Sequence, residues 1–306
     1  MDSVVVLMST YNGERFLEEQ IESILKQKDV DVVLYVRDDG SSDRTKQILD
    51  EYQRKNAQML VSYEKNEGVG NSFMDLVYMA PETSDYYAFA DQDDIWRDTK
   101  LIEAIKLLKQ SGKNLYVSNQ ECVDKNGKQL KKARFTETPD LSEISILCKN
   151  PVAGCTMVFS NAFYKALSAK QSRPTARLLK NRIHDVWVDM VGAVREDIIY
   201  DPRSFILYRL HENNVVGIKK NTAYDILKAQ WKKLRNPQER NGRSILAQEI
   251  VRCFPGETSK NRLIQIAADS RKMKNKILLI QNNEVFRHYT GETKLGFALK
   301  VLLGFF

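Results

Sequence analysis

Cysteine is scarce in this chain of 306 residues. Cys122, Cys148, Cys155 and Cys253 lie far apart with no C-x-x-C pair, which excludes a disulfide scaffold or a zinc ribbon and leaves ordinary reduced thiols. Three histidines in all exclude a multi-histidine metal cage. No window of eighteen apolar residues occurs, so a membrane-spanning helix is excluded. The chain opens with an acid, Asp2, and a short apolar run from Val4 to Met8. It lacks the basic start and longer apolar stretch of a secretory signal, and a cytosolic protein is expected. Repeats and low-complexity linkers are missing too. What remains, 42% apolar and 28% charged residues, is the composition of a soluble globular protein of one large or two ordinary domains.

The net charge of +7 is unevenly divided. Residues 1–218 hold 29 Lys and Arg against 33 Asp and Glu, a balance of −4, whereas residues 219–306 hold 18 against 7, a balance of +11. A near-neutral body followed by a basic tail points to two tasks, one of them at an anionic surface.

The body alternates short apolar runs with helical periodicity. Strands are expected at Val4–Ser9, Val32–Val36, Leu60–Tyr63 and Tyr86–Ala90. The first helix is marked by Phe16, Leu17, Ile21, Ile24 and Leu25, and the second by Ile48, Leu49 and Tyr52. This β-α-β-α rhythm predicts an α/β fold with a doubly wound, mostly parallel sheet and helices on both faces. Ligands of such sheets bind beyond the carboxyl ends of the strands. Past residue 110 the pattern loosens, with strands expected at 152–159 and 205–210 and a helix near 183–194. After Lys219 the reading is helical and basic, with Lys228, Lys232, Lys233 and Arg235 beside Ile226, Leu227 and Trp231.

Two polar clusters carry chemistry. Asp91-Gln92-Asp93-Asp94 puts three carboxylates within four residues at a strand end, where they repel unless a cation neutralises them. A hard divalent cation bridging to phosphate oxygens does so; a solvated acidic turn capping the helix near Asp98 is the plainer alternative. The run Asp38-Asp39-Gly40-Ser41-Ser42-Asp43 follows the neighbouring strand. A carboxylate only accepts hydrogen bonds, so Asp39 suits the ring N–H of uracil or thymine; simple helix capping is its other use.

These runs, with Ser9-Thr10-Tyr11-Asn12-Gly13 and Asn66-Glu67-Gly68-Val69-Gly70-Asn71, occur in order and together resemble glycosyltransferase family 2. That family comprises inverting enzymes of the GT-A fold that use nucleotide-diphosphate sugars. The longer string Asp-Gln-Asp-Asp-Ile-Trp is similar to its bacterial polysaccharide branch, which includes rhamnosyltransferases. The resemblance covers residues 3–218. It implies a GT-A domain over 1–218, with a nucleotide-binding half to about 110 and an acceptor half over 111–218, followed by a basic helical region over 219–306.

The resemblance also implies roles. Thr10, Tyr11 and Asp39 line the nucleoside pocket, with Asn66 nearby. Asp91 contacts the ribose, and Asp93 holds Mg²⁺ or Mn²⁺ on the diphosphate. Asp94 orients Asp93 or touches the donor sugar, and Lys100 approaches the phosphates. Asp185, in His184-Asp185-Val186-Trp187, stands where the family keeps the base that deprotonates the acceptor; without the resemblance it reads as a carboxylate at a helix start. His211 completes the metal shell or contacts the diphosphate, or else is a satisfied, non-catalytic histidine. Gly154, Trp96 and Trp187 are acceptor-side candidates, although core packing is the commoner use of tryptophan.

The donor implied is a UDP- or dTDP-sugar and the acceptor a lipid-linked glycan. Leu295 to Phe306, apolar apart from Lys300 and the glycines, is too short to span but suited to an interface. The tail therefore suggests an enzyme held at the inner face of the cell membrane, or else a helical bundle on the body or on a second copy. Other readings compete, among them a catalytically inactive scaffold, which the intact acidic motifs and candidate base disfavour. A dehydrogenase would need a G-x-G-x-x-G after the first strand, which is missing. A nucleotidyltransferase would release pyrophosphate. A nucleic-acid-binding protein is suggested only by the sequence pI of 9.0, without any motif, and nucleic acid is not an expected partner.

Overall fold

The computed structural model describes residues 1–131, 133–181, 183–211, 241–289 and 293–306. The expected boundary at 218/219 and the basic segment from Lys228 to Arg235 lie outside the described residues. The chain forms two compact units, each discontinuous in sequence.

The first unit comprises Met1–Pro139, Val152–Ser172 and 196–211, and holds one nine-stranded sheet. Its strands are β1 Asp2–Thr10, β2 Val30–Asp38, β3 Met59–Tyr63, β4 Tyr86–Ala90, β5 Ile95–Trp96, β6 Leu115–Val123, β7 Gln129–Lys131, β8 Val158–Ser160 and β9 Ile198–Arg209. They lie in the order β3-β2-β1-β4-β8-β6-β9-β5, with β7 paired to β6. Strands β3, β2, β1, β4, β6 and β9 run one way and β8, β5 and β7 the other, giving the mixed, mostly parallel sheet expected. The helices α1 Leu17–Leu25, α2 Thr45–Lys55, α3 Val69–Met79 and α4 Lys100–Ser111 cover it.

Strands buried on both faces read as continuous apolar runs. Val4, Val6, Met8, Leu34, Val36, Ala88 and Ala90 accordingly sit in the core with Ile21, Ile24, Leu101 and Ile105 from the helices. Each buried aliphatic side chain of this size contributes about 1.5–3 kcal/mol.

Register aligns the site. Thr10 pairs with Asp38 and Met8 with Ala90, so β1, β2 and β4 end at one edge of the sheet. Strand β9 runs parallel to β6 and reaches the same edge at Arg209. Strand β5 pairs Ile95 with Leu207, which brings the acidic loop 91–94 beside the end of β9.

Two local readings change. Within 152–159 the structure has a 3₁₀ turn at Gly154–Thr156 before the short β8, because backbone bonds at Ala153 and Gly154 close the turn. The long strand β6 has a buried polar centre, Ser118-Asn119-Gln120, that hides it from any apolar pattern. Asn119 is occupied there: its Oδ1 accepts the N–H groups of Arg134 and Phe135, and its Nδ2 donates to the Phe135 carbonyl at 2.8 Å.

The second unit comprises Asp140–Pro151, Arg173–Arg195 and the described residues from 241 onward. It is helical, with elements at Glu143–Cys148, Ala176–Asn181, His184–Val194, Gly242–Cys253, Pro255–Thr258, Arg262–Ala268, Met273–Gln281, Asn283–His288 and Lys294–Leu302. Trp187, fully buried, lies 6.2 Å from the Phe254 ring, centroid to centroid. Thr175 donates to Glu249 at 2.6 Å, and the Arg243 guanidinium bonds the Cys148 carbonyl.

Candidate active site

The loops after β1 and β2 are built around two buried acids. Asp38 accepts from the Ser41 N–H at 2.9 Å, from the Ser41 hydroxyl and from the Thr10 hydroxyl at 3.2 Å. Asp38 is consumed in shaping its own loop, and Thr10 gives it its hydroxyl proton. Asp39 is buried too. Its Oδ1 takes Arg37 at 2.5 Å and the Glu67 N–H at 2.9 Å; its Oδ2 takes the Gly68 N–H at 3.0 Å. Those three donors leave acceptor capacity on Oδ2, since each carboxylate oxygen offers two lone-pair positions. Gly40 adopts φ +82° against the Asn66 backbone, 3.3 Å from where a Cβ would stand, which fixes the exposed Asn66 beside the same loop.

The acidic loop is held by its backbone. Gln20, buried in α1, donates to the Asp91 carbonyl at 2.8 Å, and Arg209 Nε donates to the Asp93 carbonyl at 3.0 Å. Gln92 reaches across to the β1 loop, accepting the Tyr11 N–H at 2.9 Å and donating to the Tyr11 carbonyl at 3.1 Å. This amide imitates one rung of a β-ladder and positions the half-exposed Tyr11 ring. A Cβ on Gly13 would meet the same amide at 2.3 Å and push it from its place against Tyr11.

At the loop's end the Asp93 Oδ2 and His211 Nε2 lie 2.8 Å apart. His211 packs against the Phe16 ring at 5.0 Å between centroids, and the Arg209 guanidinium lies over the same ring, 4.6 Å from its centroid, while pairing with Glu19. Asp94 is fully buried, with Oδ1 on the Arg209 N–H at 3.2 Å. Burial first, then the charges of Asp93 and Asp91, push its carboxyl well up.

Asp91, Asp94 and Cys155 offer atoms within 4.8 Å of one another. Burial also pushes the Cys155 thiol well up, and a protonated thiol is a poor ligand for a hard cation. Asp93 and His211 instead bring a carboxylate oxygen, which suits a hard cation, beside an imidazole nitrogen, which suits a softer one.

Other expected residues take different places. Lys100 is wholly buried, its ammonium bonded to the Cys155 carbonyl at 2.9 Å and 3.2 Å above the Trp96 ring centroid. Burial lowers its pKa to about 7, against the raising effect of Cys155, Asp94 and Asp91. Here it is spent on the Cys155 carbonyl, and the buried Trp96 is its platform rather than an exposed sugar-stacking face. Gly154 is buried in its 3₁₀ turn, and Trp187 in the core of the second unit. Asp185, half-buried in the first turn of the helix His184–Val194, accepts the Val186 N–H at 2.6 Å. Asp185 and Trp187 belong to the second unit, and the other sequence candidates to the first.

Sequence reasoning overlooked Arg37, Gln92, Arg209 and Gln20. The first and third carried a signal, a cation directly after an apolar run, Val32–Val36 before Arg37 and Phe205–Tyr208 before Arg209. Gln92 and Gln20 carried none that spacing reveals.

The sequence profile described as Glycosyl transferase family 2 matches residues 5–169. The dTDP-rhamnosyl transferase RfbG of Shigella flexneri is 32% identical over 235 residues, covering 74% of this chain and 78% of RfbG. The chain belongs to glycosyltransferase family 2. A second relative of this glycosyltransferase is the UDP-Glc:alpha-D-GlcNAc-diphosphoundecaprenol beta-1,3-glucosyltransferase WfgD of Escherichia coli. It is 28% identical over 158 residues, 51% of this chain and 61% of WfgD. Among solved structures, S. aureus TarS 1–349 in complex with UDP-GlcNAc superposes with a TM-score of 0.57 and 19% identity. That match covers 99% of this chain and 88% of TarS 1–349, and the shared fold is GT-A.

Proposed function

We propose that this glycosyltransferase moves a sugar, with inversion, from a UDP- or dTDP-sugar to a lipid-linked glycan in bacterial cell-surface polysaccharide synthesis. Rhamnosyl transfer from dTDP-rhamnose is the first case to test, given the likeness to RfbG. The observation that carries the reading is the meeting, at one sheet edge, of the Asp39 loop with the Asp93–His211 pair.

In this reading Asp39 accepts the N3–H of uracil or thymine on its remaining Oδ2 position, Tyr11 lies along the base, and Thr10 and Asn66 complete the nucleoside pocket. Asp91 takes the ribose hydroxyls. Asp93 and His211 would hold Mg²⁺ or Mn²⁺ against the diphosphate, and that cation supplies Lewis acidity to the leaving group when bound. Asp94, buried next to it in the loop, orients Asp93, and Lys100 holds the Cys155 turn.

Asp185 takes the proton of the acceptor hydroxyl as its oxygen attacks the anomeric carbon. The C1–O bond to the diphosphate breaks, and its electron pair leaves with the nucleoside diphosphate. In this reading the acceptor is lipid-linked and the work is done at the inner face of the cell membrane, which the diphosphoundecaprenol in the name of WfgD supports.

Purified protein incubated with UDP- and dTDP-sugars and a polyprenyl-diphosphate-linked glycan should release nucleoside diphosphate and extend the glycan only when Mg²⁺ or Mn²⁺ is added. Asp93→Ala should remove at least about a hundredfold of that rate while the protein stays folded. Full transfer in chelator would overturn the metal role. Release of pyrophosphate from nucleoside triphosphates would make the protein a nucleotidyltransferase instead.

A further inference from the structure

The helix Lys294–Leu302 is apolar on two opposite faces. One is spent on the second unit's own core: Phe297 and Val301 are buried, with Phe297 4.8 Å from the Tyr289 ring and 5.6 Å from Phe286. The other faces solvent. Leu295, Leu299 and Leu302 recur at i, i+4 and i+7 and are 72%, 51% and 41% exposed, with Leu303 beside them at 57%. The helix Met273–Gln281 packs alongside, and Lys276 donates to the Leu302 carbonyl at 2.7 Å. It adds Met273 and Ile277, one turn apart and 59% and 45% exposed. Soluble helices place polar residues opposite their core stripe. An apolar row there marks an interaction surface.

The charges around the row identify its partner. The two helices carry Lys274, Lys276, Lys294 and Lys300 and no carboxylate at all. Arg271 and Lys272 immediately precede the first. Protein–protein interfaces are enriched in aromatic residues and Arg and depleted in Lys; this surface has aliphatic side chains, lysines and no exposed aromatic ring. Lysine rims around aliphatic rows are the composition of helices lying in the headgroup region of an anionic bilayer, where lysine stems also cover apolar surface.

We propose that the paired helices Met273–Gln281 and Lys294–Leu302 dock on an anionic lipid surface through Leu295, Leu299, Leu302, Leu303, Met273 and Ile277, with their lysines on the headgroups. The assignment rests on the reading of the acceptor as a lipid-linked glycan, and it names the part of the chain that meets the bilayer.

The test is flotation of the full chain with vesicles of equal parts phosphatidylglycerol and phosphatidylcholine, and with phosphatidylcholine alone. The parent should float with the anionic vesicles. The double variant Leu299→Gln/Leu302→Gln should partition about tenfold or more weakly, from the loss of two inserted aliphatic side chains. Lys274→Gln and Lys300→Gln should each lose roughly fivefold, on anionic vesicles only. Unfolding midpoints and UDP binding, measured on the same samples, should match the parent. Should the double variant be unstable, Leu295→Ser alone serves as the second probe. A parent that ignores anionic vesicles overturns the membrane placement altogether. A parent that floats together with unimpaired leucine variants overturns this surface alone and leaves the proposed transfer reaction standing. Leucine variants that float normally but sediment as a smaller species than the parent would make the occupant a second copy of the chain.

Discussion

Arg37, the Glu67 N–H and the Gly68 N–H draw on Asp39 at once, so this carboxylate holds two loops together before any nucleotide arrives. Asp39→Ala should therefore act twice. It should leave the buried Arg37, among the described residues, with only the 3.4 Å contact to Asp75 as a counter-charge, costing roughly 3–5 kcal/mol of stability. It should also weaken UDP or dTDP binding far more than Asp185→Ala does. Calorimetry would show the second effect and a urea unfolding curve the first; nucleotide affinity equal to the parent's would remove Asp39 from the pocket. Gln92 makes a cleaner probe because it carries no charge. Gln92→Ala should release Tyr11, raising the KM for donor about tenfold with a smaller change in kcat, since two neutral hydrogen bonds are lost. An unchanged KM would show that Tyr11 is positioned by other contacts.

At the scale of elements, the legible parts were those whose burial writes itself into the pattern. Strands β1, β2, β3 and β4 are apolar runs between helices of clear period, and their expected cores match the observed strands within a residue or two at most ends. The helix at His184–Val194 was legible for the same reason. Strand β6 was not, because Asn119 uses a buried amide to tie down the segment at Arg134 and Phe135, and no periodicity shows that exchange. The site divides in the same way. Carboxylates grouped at strand ends were visible as groups, whereas Lys100 was read by its charge toward phosphate when the fold turns it onto Cys155 and Trp96. Helix position matters equally for the proposed base. Asp185 lies in a helical first turn, where an amide also fits, so Asp185→Asn should preserve both the helix and donor affinity. Turnover should fall by about a hundredfold or more, because the amide does not accept the acceptor's proton. Single-turnover measurements near the parent rate would move the base to another side chain.

The whole molecule should show a pH dependence rooted in its second unit. His184 is buried there, and burial pulls its pKa from 6.5 down to about 3. The folded value lies below the unfolded one, so between them only the unfolded chain binds the proton. That contribution is fully present above pH 6.5 and is lost as the pH falls through the window. The loss has a ceiling of about 1.4 kcal/mol per pH unit. Urea titrations of parent and His184→Gln should diverge in slope below pH 6.5 and run parallel above it. Parallel curves throughout would show that His184 does not govern acid sensitivity.

The route of the polypeptide between the two units has a practical meaning. It crosses after Pro139, Pro151, Ser172 and Arg195, and once more between His211 and Asn241. No single scission of the backbone can therefore separate the sheet from the helical unit. A protease cut at any crossing would leave two pieces of which at least one holds parts of both cores. Shortening the gene from its end would strip the helix Gly242–Cys253 from Cys148, Thr175 and Trp187's neighbourhood rather than release a tidy donor half. Split halves expressed together, and assayed for reconstitution, are the genetic dissection this topology permits.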